Sequence, residues 1–229
     1  NNPRPDITVK YRNVDEIHFR VVAENWEAAM KRKRGNPQWL DNNERKALMQ
    51  KEIVKQWSVK LPPTKDFHES VKTIKAPEGL PQGFYYLASS HDKNFGAGDN
   101  VCHYTSFWVS DLSIVIRQRH GKGRVEGFVL AALSGEPVAN ANVRAWFRNG
   151  NQRTEANPTT SNDKGFFSFQ AIQRGYLLLA SKGDQPLSSY HDHYNPGRVH
   201  IPRPYDRTIF FTDRSLYRPG QTVHCRSAH

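Results

Sequence analysis

The segment His191-Asp192-His193, with His200 nearby, holds the side chains best suited to chemistry in this 229-residue chain. Alternate residues of a β-strand share one face, so two imidazoles spaced in this way could ligate a metal ion. Proline flanks the segment, which indicates an irregular loop, and His-x-His sequences are common. Solvent-exposed loop histidines are therefore the better interpretation, and we predict no metal-ligating residue.

The sequence motifs of common enzyme sites are absent. The chain has no Gly-x-Ser-x-Gly elbow, no Gly-x-x-x-x-Gly-Lys phosphate loop, no His-Glu-x-x-His and no Gly-x-Gly-x-x-Gly. Asp213 beside Arg214 and Arg218 is better interpreted as a strand-end ion pair or a turn-stabilising hydrogen bond than as a partner contact. We therefore predict that the chain is not an enzyme, with no catalytic and no cofactor-binding residues.

The two cysteines, Cys102 and Cys225, lie far apart, and neither has a second Cys or His at metal-ligand spacing. A disulfide framework and a zinc site are therefore not indicated, and we expect two free thiols. Such low cysteine use is compatible with the cytoplasm and equally with the periplasm or the cell surface.

The formal net charge of +11 is spread along the chain and interleaved with Asp and Glu, apart from the run Lys31-Arg32-Lys33-Arg34. No aromatic residues alternate with that run, so a solvated helix end or loop is a better interpretation than a nucleic-acid surface. No apolar run reaches the roughly 18 residues of a membrane-spanning helix. We expect no nucleic-acid partner and no membrane-spanning segment.

Apolar periodicity divides the first part of the chain into strands and helices. Alternation predicts strands over 7–13 and 16–22, and the short step between them suggests a hairpin. A period of three to four residues predicts a pair of helices over about 24–57, interrupted at Gly35-Asn36-Pro37 and capped by one of Asp41, Asn42 or Asn43. The recurrence of Met49, Ile53 and Trp57 extends this helical pattern to its end.

Short strands separated by Pro and Gly clusters follow, and this arrangement is typical of a β-sandwich or a β-barrel. We predict them over 58–61, 71–75, 84–89, 101–110 and 112–117, and then around Val129, Phe147, Phe167 and 176–181. Gly165 ends an Asp-x-Gly turn, where a positive φ suits glycine, and 191–204 is predicted as a loop. Five tryptophans are expected in cores and domain seams: Trp26, Trp39, Trp57, Trp108 and Trp146.

The last segment contains the most specific sequence motif of the chain. Pro219 and Gly220 suit the two central positions of a type II turn, so a strand is expected on each side. The segment resembles the motif with which a macroglobulin domain begins in alpha-2-macroglobulin-like proteins, bacterial members included. In this chain the matching residues are Phe211-Thr212-Asp213-Arg214-Ser215-Leu216-Tyr217-Arg218-Pro219-Gly220-Gln221-Thr222-Val223. Three upstream stretches are similar to the preceding domain of bacterial relatives: Trp108 to Leu112, Ser134 to Val143 and Asp163 to Phe166. The resemblance covers 101–229 well and is less specific before it.

The resemblance implies a mainly β fold of tandem antiparallel, seven-stranded macroglobulin sandwiches, the first with a helical insertion. We expect domains at 1–110 and 111–206 and the start of a third, truncated domain at 207–229. The implied function is a non-catalytic scaffold segment of a large bacterial protease-trapping inhibitor, secreted or located in the periplasm or cell envelope. Its implied partners are neighbouring macroglobulin domains and, through the full-length protein, target proteases.

Many members of this family trap proteases with a thioester between Cys and Gln in a Cys-Gly-Glu-Gln motif. Neither Cys102 nor Cys225 has a Gln three residues later, so this segment lacks that group. The alternative is a transthyretin-like or prealbumin-like binding module of a surface adhesin, whose sandwiches would also suit the Gly127-x-Val129 and Asp163-x-Gly165 motifs. A downstream Cys-Gly-Glu-Gln in the parent gene favours the first function, whereas a cell-wall anchor or tandem copies of 120–185 favour the second.

Overall fold

The computed structural model describes residues 6–32, 35–64, 68–96, 100–118, 124–150, 152–156, 158–170, 175–194, 209–212 and 225–228, the last two ranges for their backbone only. Their strands pair antiparallel throughout and form two sandwiches and a hairpin. The predicted fold class, tandem antiparallel β-sandwiches with a helical insertion in the first, is confirmed. The predicted domain boundaries stay predictions.

Six strands form the N-terminal sandwich: β1 (Asp6–Tyr11), β2 (Glu16–Glu24), β3 (Lys55–Lys60), β4 (Ser70–Lys75), β5 (Gly83–Ser90) and β6 (His103–Val109). One sheet has the order β3-β2-β5-β6, and β1 pairs with β4 in the other. Because side chains alternate between faces, each sheet turns one apolar face inward. The core between them contains Val9, Phe19, Val21, Tyr85 and Leu87.

The hairpin predicted between the first two strands is wrong. β1 pairs with β4 in the register Asp6↔Lys75, while β2 pairs with β3 on one edge and β5 on the other. Both edges of β2 are therefore used, and the chain crosses from one sheet to the other between β1 and β2. Asn13 has a φ of 52° in this crossing, and its N–H donates to Thr64 Oγ1 over 2.9 Å.

Two short helices lie between β2 and β3: α1 (Trp26–Arg32) and α2 (Asn42–Leu48). Asp41 caps α2 as one of the predicted candidates, and a capping box joins it to Glu44. The prediction that the helical pattern continues to Trp57 is wrong. Trp57 belongs to β3, whose residues alternate in burial as a strand requires. It lies opposite Phe19 of β2 and stacks on that ring, with the ring centroids 4.9 Å apart.

Nine strands form the C-terminal sandwich: β7 (Leu112–Gln118), β8 (Arg124–Ala131), β9 (Asn142–Asn149), β10 (Gln152–Glu155), β11 (Thr159–Thr160), β12 (Phe166–Gln170), β13 (Gly175–Lys182), β14 (Gln185–Ser188) and β15 (His193–Tyr194). One sheet has the order β12-β8-β7. The other has the order β10-β9-β13-β14, with β11 on β9 and β15 on β13. Their core contains Val129, Val143, Phe167 and Leu178.

Gly165 has a φ of +70°, as its turn predicts, and its N–H donates to the carbonyl oxygen of Asn162. At the end of the chain, β16 (Ile209–Thr212) pairs antiparallel with β17 (Cys225–Ala228). The predicted turn at Pro219 and Gly220, and the side chains of Asp213, Arg214 and Arg218, lie outside the described residues.

Candidate functional site: the seam between the two sandwiches

A third apolar cluster joins the two sandwiches, and we call it the seam. It is made of buried residues from both sandwiches and both helices: Val22, Trp26, Met30, Leu48, Phe84, Tyr86, Trp146, Leu177 and Leu179. Leu40, Met49, Tyr104 and Trp108 pack against it. The helical insertion therefore lies between the outer faces of the two larger sheets.

Strand β13 supplies the C-terminal side of the seam. Leu178 and Ala180 point into the core of the C-terminal sandwich, whereas Leu177 and Leu179 point the other way into the seam. All four are at most 1% exposed. Since successive side chains of a strand point to opposite faces, β13 is buried on both of its faces. Trp146 of β9, opposite Leu177 and 4% exposed, extends the same surface.

Aromatic rings supply the N-terminal side. Phe84 and Tyr86 of β5 point outward from the N-terminal core, and Phe84 lies 5.0 Å from the Trp108 ring centroid. Trp26 of α1 lies 6.3 Å from Trp108. The buried indole nitrogens of Trp26, Trp108 and Trp146 have no hydrogen-bond acceptor among the described residues. Apolar packing rather than hydrogen bonding of these rings therefore stabilises the centre of the seam.

Polar contacts close one edge of the seam. Arg144 of β9 donates to both carboxylate oxygens of Glu27 in α1, with 2.9 Å from Nη1 to Oε2, and to Glu155 Oε1 over 3.3 Å. The pKa of Arg144 is raised, mainly because its guanidinium donates hydrogen bonds to the Glu27 carboxylate. A bidentate arginine–carboxylate contact fixes the relative orientation of its two side chains as well as their distance. Glu27 and Arg144 therefore fix the position of α1 on the C-terminal sandwich.

Hydrogen bonds from the inter-helix segment close another edge. Asn36 Nδ2 donates to the carbonyl oxygen of Tyr190 over 3.2 Å, and Gln38 Nε2 donates to that of Ser189 over 3.4 Å. Tyr86 donates its hydroxyl to the Pro37 carbonyl oxygen, and burial raises the Tyr86 pKa. The segment that breaks the helical pattern thus binds both sandwiches.

The histidine segment is an exposed loop only in part: His191 is exposed as predicted, but the predicted loop is wrong at His193, which is half-buried in β15. Asp192 pairs with Arg153 over 2.8 Å, His191 meets the Tyr190 ring edge-on, and His193 lies in β15 against Tyr176 with ring centroids 5.5 Å apart. Burial lowers the His193 pKa. In the described part of the chain no three His, Cys, Asp or Glu residues are grouped closely enough to hold a metal. His200 lies outside that part.

Other conspicuous residues mostly lie where the sequence indicated. Trp26, Trp108 and Trp146 line the seam and Trp57 packs in the N-terminal core, but Trp39 is 66% exposed. Arg32 is the last residue of α1, and its Nη2 lies 3.7 Å from Glu24 Oε2. Cys102 is a free thiol, and the side chain of Cys225 is not among the described ones.

The sequence-based reasoning did not identify Arg144, Leu177 or Leu179. The signal for the two leucines was present, because the run Tyr176-Leu177-Leu178-Leu179-Ala180 does not alternate. A strand without alternation is typical of burial on both faces. Nothing in the local sequence distinguishes Arg144, whose partner Glu27 is 117 residues away.

None of the helices in the described part of the chain has the length and apolar character that crossing a membrane requires. No family model and no curated protein sequence matches the chain.

Two solved structures share the architecture. The first is native alpha-2-macroglobulin from Escherichia coli spanning domains MG0-NIE-MG1, with a TM-score of 0.62 and 16% identity over 80% of this chain. The second spans domains NIE-MG1 of the same protein, with a TM-score of 0.59 and 18% identity, also over 80% of this chain. The matches span 57% and 86% of those structures. The resemblance inferred from the sequence is thus confirmed at the level of the fold, which is that of bacterial macroglobulin domains.

Proposed function

We propose that this chain is a non-catalytic scaffold segment of a large bacterial alpha-2-macroglobulin-like protein that traps proteases. The observation that carries the proposal is the seam, which buries the outer face of β13 against the helical insertion. The likeness to the Escherichia coli structures supports it. The work of the segment is to hold neighbouring domains in a fixed relation.

The physical argument rests on the cost of separating the sandwiches. Linked domains move relative to each other by default unless their interface is large and hydrophobic. Here opening the seam would expose Trp146 and Leu177, each at most 4% exposed, and would break the contact between Arg144 and Glu27. Such a joint transmits position from one sandwich to the next, which is what a scaffold requires.

The chemistry of trapping belongs to other parts of the proposed protein. A thioester needs a Gln three residues after its Cys, whereas Cys102 is followed by His103-Tyr104-Thr105 and Cys225 by Arg226-Ser227-Ala228. We therefore assign neighbouring macroglobulin domains as direct partners and target proteases as partners of the full-length protein. The location that this function implies is secreted, periplasmic or at the cell envelope.

The experiment reverses the charge at the polar edge of the seam. Arg144→Glu places a third carboxylate beside Glu27 and Glu155, so the seam should loosen. Arg148→Glu is the matched control, because Arg148 lies on the same strand and the same face but, within the described part of the chain, donates only to the Gly150 carbonyl oxygen. Small-angle scattering and NMR rotational correlation times report whether the sandwiches move as one body.

We expect one rigid body for the unaltered chain and for Arg148→Glu, and a larger, flexible particle for Arg144→Glu. Two independently tumbling sandwiches in the unaltered chain would contradict the scaffold function. An equimolar mixture of the chain with a protease should leave cleavage of a small peptide substrate unchanged, and stoichiometric inhibition would contradict the assignment of trapping chemistry to other parts.

A further inference from the structure

The outer face of the smaller C-terminal sheet, β12-β8-β7, carries a group of apolar side chains. Phe166, Phe128 and Val115 form one row across its three strands, because Phe128 lies opposite Phe166 on one side and opposite Val115 on the other. The rings of Phe128 and Phe166 meet edge-on with centroids 5.4 Å apart. Leu130 lies on the same face, two residues further along β8. We call these four residues the outer band.

The outer band is separate from the packing that forms the C-terminal sandwich. None of its four residues belongs to either core or to the seam. Phe167, whose side chain points inward from β12, is 1% exposed, whereas Val115 is 47% exposed and the other three band residues are half-buried. Contiguous apolar side chains on an outer face indicate contact with another folded body.

The smaller sheet of the N-terminal sandwich has a different outer face. Val71 is the one apolar residue that β1 and β4 direct outward, and the others on that face are polar: Asp6, Thr8, Lys10, Thr73 and Lys75. The sandwich architecture therefore does not require aromatic rings on the outside of its smaller sheet. The outer band is a property of the C-terminal sandwich alone.

The size of the face decides which kind of partner it fits. Three strands about 4.8 Å apart and about 25 Å long make a face of about 350 Å². A stable complex between two free proteins buries about 800 Å² on each partner. A free protein or a second copy of the chain would therefore bind weakly here. A tethered partner needs less contact area, because a linker provides an effective concentration in the millimolar range.

The connection of the chain identifies the tethered partner. The chain leaves the C-terminal sandwich after β15, and β16 begins at Ile209. Residues 195–208 lie outside the described part, and a chain of that length spans at most about 45 Å, which exceeds the length of the strands. The motif from Phe211 to Val223 resembles the start of a macroglobulin domain. Chain before β1 is attached to the other sandwich, so the domain that follows is the nearer candidate.

We propose that the outer band is the surface on which the macroglobulin domain that begins at about residue 207 docks. This inference rests on the proposed function and names the face that one neighbouring domain uses. Arg117 and Arg124 border the band on the same face, and Arg124 donates to Ser168 Oγ over 2.9 Å. The docked surface is therefore apolar opposite the band and polar opposite these arginines, as is usual for a contact with an apolar centre and a polar rim.

The test measures how fast a maleimide reacts with a cysteine placed in the outer band. Val115→Cys is compared in the 229-residue chain and in the longer protein that extends from Asn1 through the domain after residue 207. If the docked domain has a dissociation constant of about 0.1 mM, a millimolar effective concentration leaves the face open about a tenth of the time. Labelling at position 115, located by peptide mass spectrometry, should therefore be about tenfold slower in the longer protein.

Val71→Cys is the matched control, because Val71 is also an exposed valine on the outer face of a smaller sheet. Labelling at position 71 should have the same rate in both proteins. Val115→Asp should release the domain and raise the radius of gyration of the longer protein in small-angle scattering, whereas Val71→Asp should not. Both are surface positions, so the urea midpoint of the 229-residue chain should change little. If Val115→Asp folds poorly, the labelling of Val115→Cys still decides the question.

Equal labelling of Val115→Cys in the two proteins would overturn the docking. A dimer of the 229-residue chain, seen by light scattering, that Val115→Asp converts to a monomer would also overturn it, because a second copy would then cover the band. A longer protein without a folded domain after residue 207 would do the same. These results are distinct from failure of the scaffold function, which would appear as two sandwiches that tumble independently within the 229-residue chain.

Discussion

Replacing Leu177 by alanine tests whether the seam joins the two sandwiches, and the neighbouring Leu178 provides a matched control. Both leucines are 0% exposed and adjacent in β13. Leu177 faces the seam and Leu178 faces the core of the C-terminal sandwich. Leu177→Ala should therefore weaken the joint, whereas Leu178→Ala should weaken the sandwich itself.

The expected magnitude follows from the atoms removed. Leu→Ala deletes three buried carbons, which corresponds to about 2.5 kcal/mol from transfer alone, and the remaining cavity brings the loss to about 3–4 kcal/mol. Since about 1.4 kcal/mol is a factor of ten in an equilibrium constant, seam opening should become several hundredfold more frequent. The aromatic rings around Leu177 are large and interlocked, so we expect little collapse of the cavity.

Native-state hydrogen exchange measures the opening, because amide protection reports local free energies. Leu177→Ala should reduce protection most in α1 and α2, while Leu178→Ala should reduce it most in β7, β8 and β12. Urea denaturation of both variants should show comparable total losses. The reasoning is refuted if Leu177→Ala leaves the two helices as protected as before, or if the two variants give the same pattern of exchange.

Two further predictions concern the C-terminal sandwich. Gly165→Ala should lower the free energy of unfolding by on the order of 2 kcal/mol more than Gly183→Ala does. Both glycines have a positive φ, but of the two only Gly165 would place the added Cβ 2.5 Å from a backbone atom, the Val129 oxygen. Equal urea midpoints of the two variants would contradict this. His193 should make stability fall as the pH drops below about 6.5, because burial lowers its pKa and the folded state then binds the proton less readily than the unfolded state. His193→Phe, which keeps a ring against Tyr176, should reduce that fall in urea midpoints between pH 7.5 and pH 5, and an unchanged fall would exclude this histidine as its cause.

Sequence alone determined the features that depend on near neighbours. Alternating apolar residues predicted most of the strands, the Asp-x-Gly pattern predicted the left-handed turn at Gly165, and Asp41 was a predicted helix cap. These features are local because strand faces, turn conformations and caps are set by residues within a few positions of one another. From them an antiparallel β-sandwich or barrel followed, and the resemblance of the last segment to macroglobulin domains favoured the sandwich.

Tertiary structure decided which faces and edges meet. Alternation shows that β1 has an apolar face but does not specify its partner, and β4 rather than β2 lies beside it. Trp57 satisfied a helical period and a strand period alike, and its contact with Phe19 selected the strand. The pairing of Arg144 with Glu27 depends on packing across the whole chain.

The seam shows the same division within a single strand. The continuous apolar run of β13 indicates burial on both faces, because a strand covered on only one face would alternate. That run contains no information on which element covers the second face. Only the fold places the helical insertion against Leu177 and Leu179. Local sequence therefore determined the surfaces of this protein, and long-range packing determined their partners.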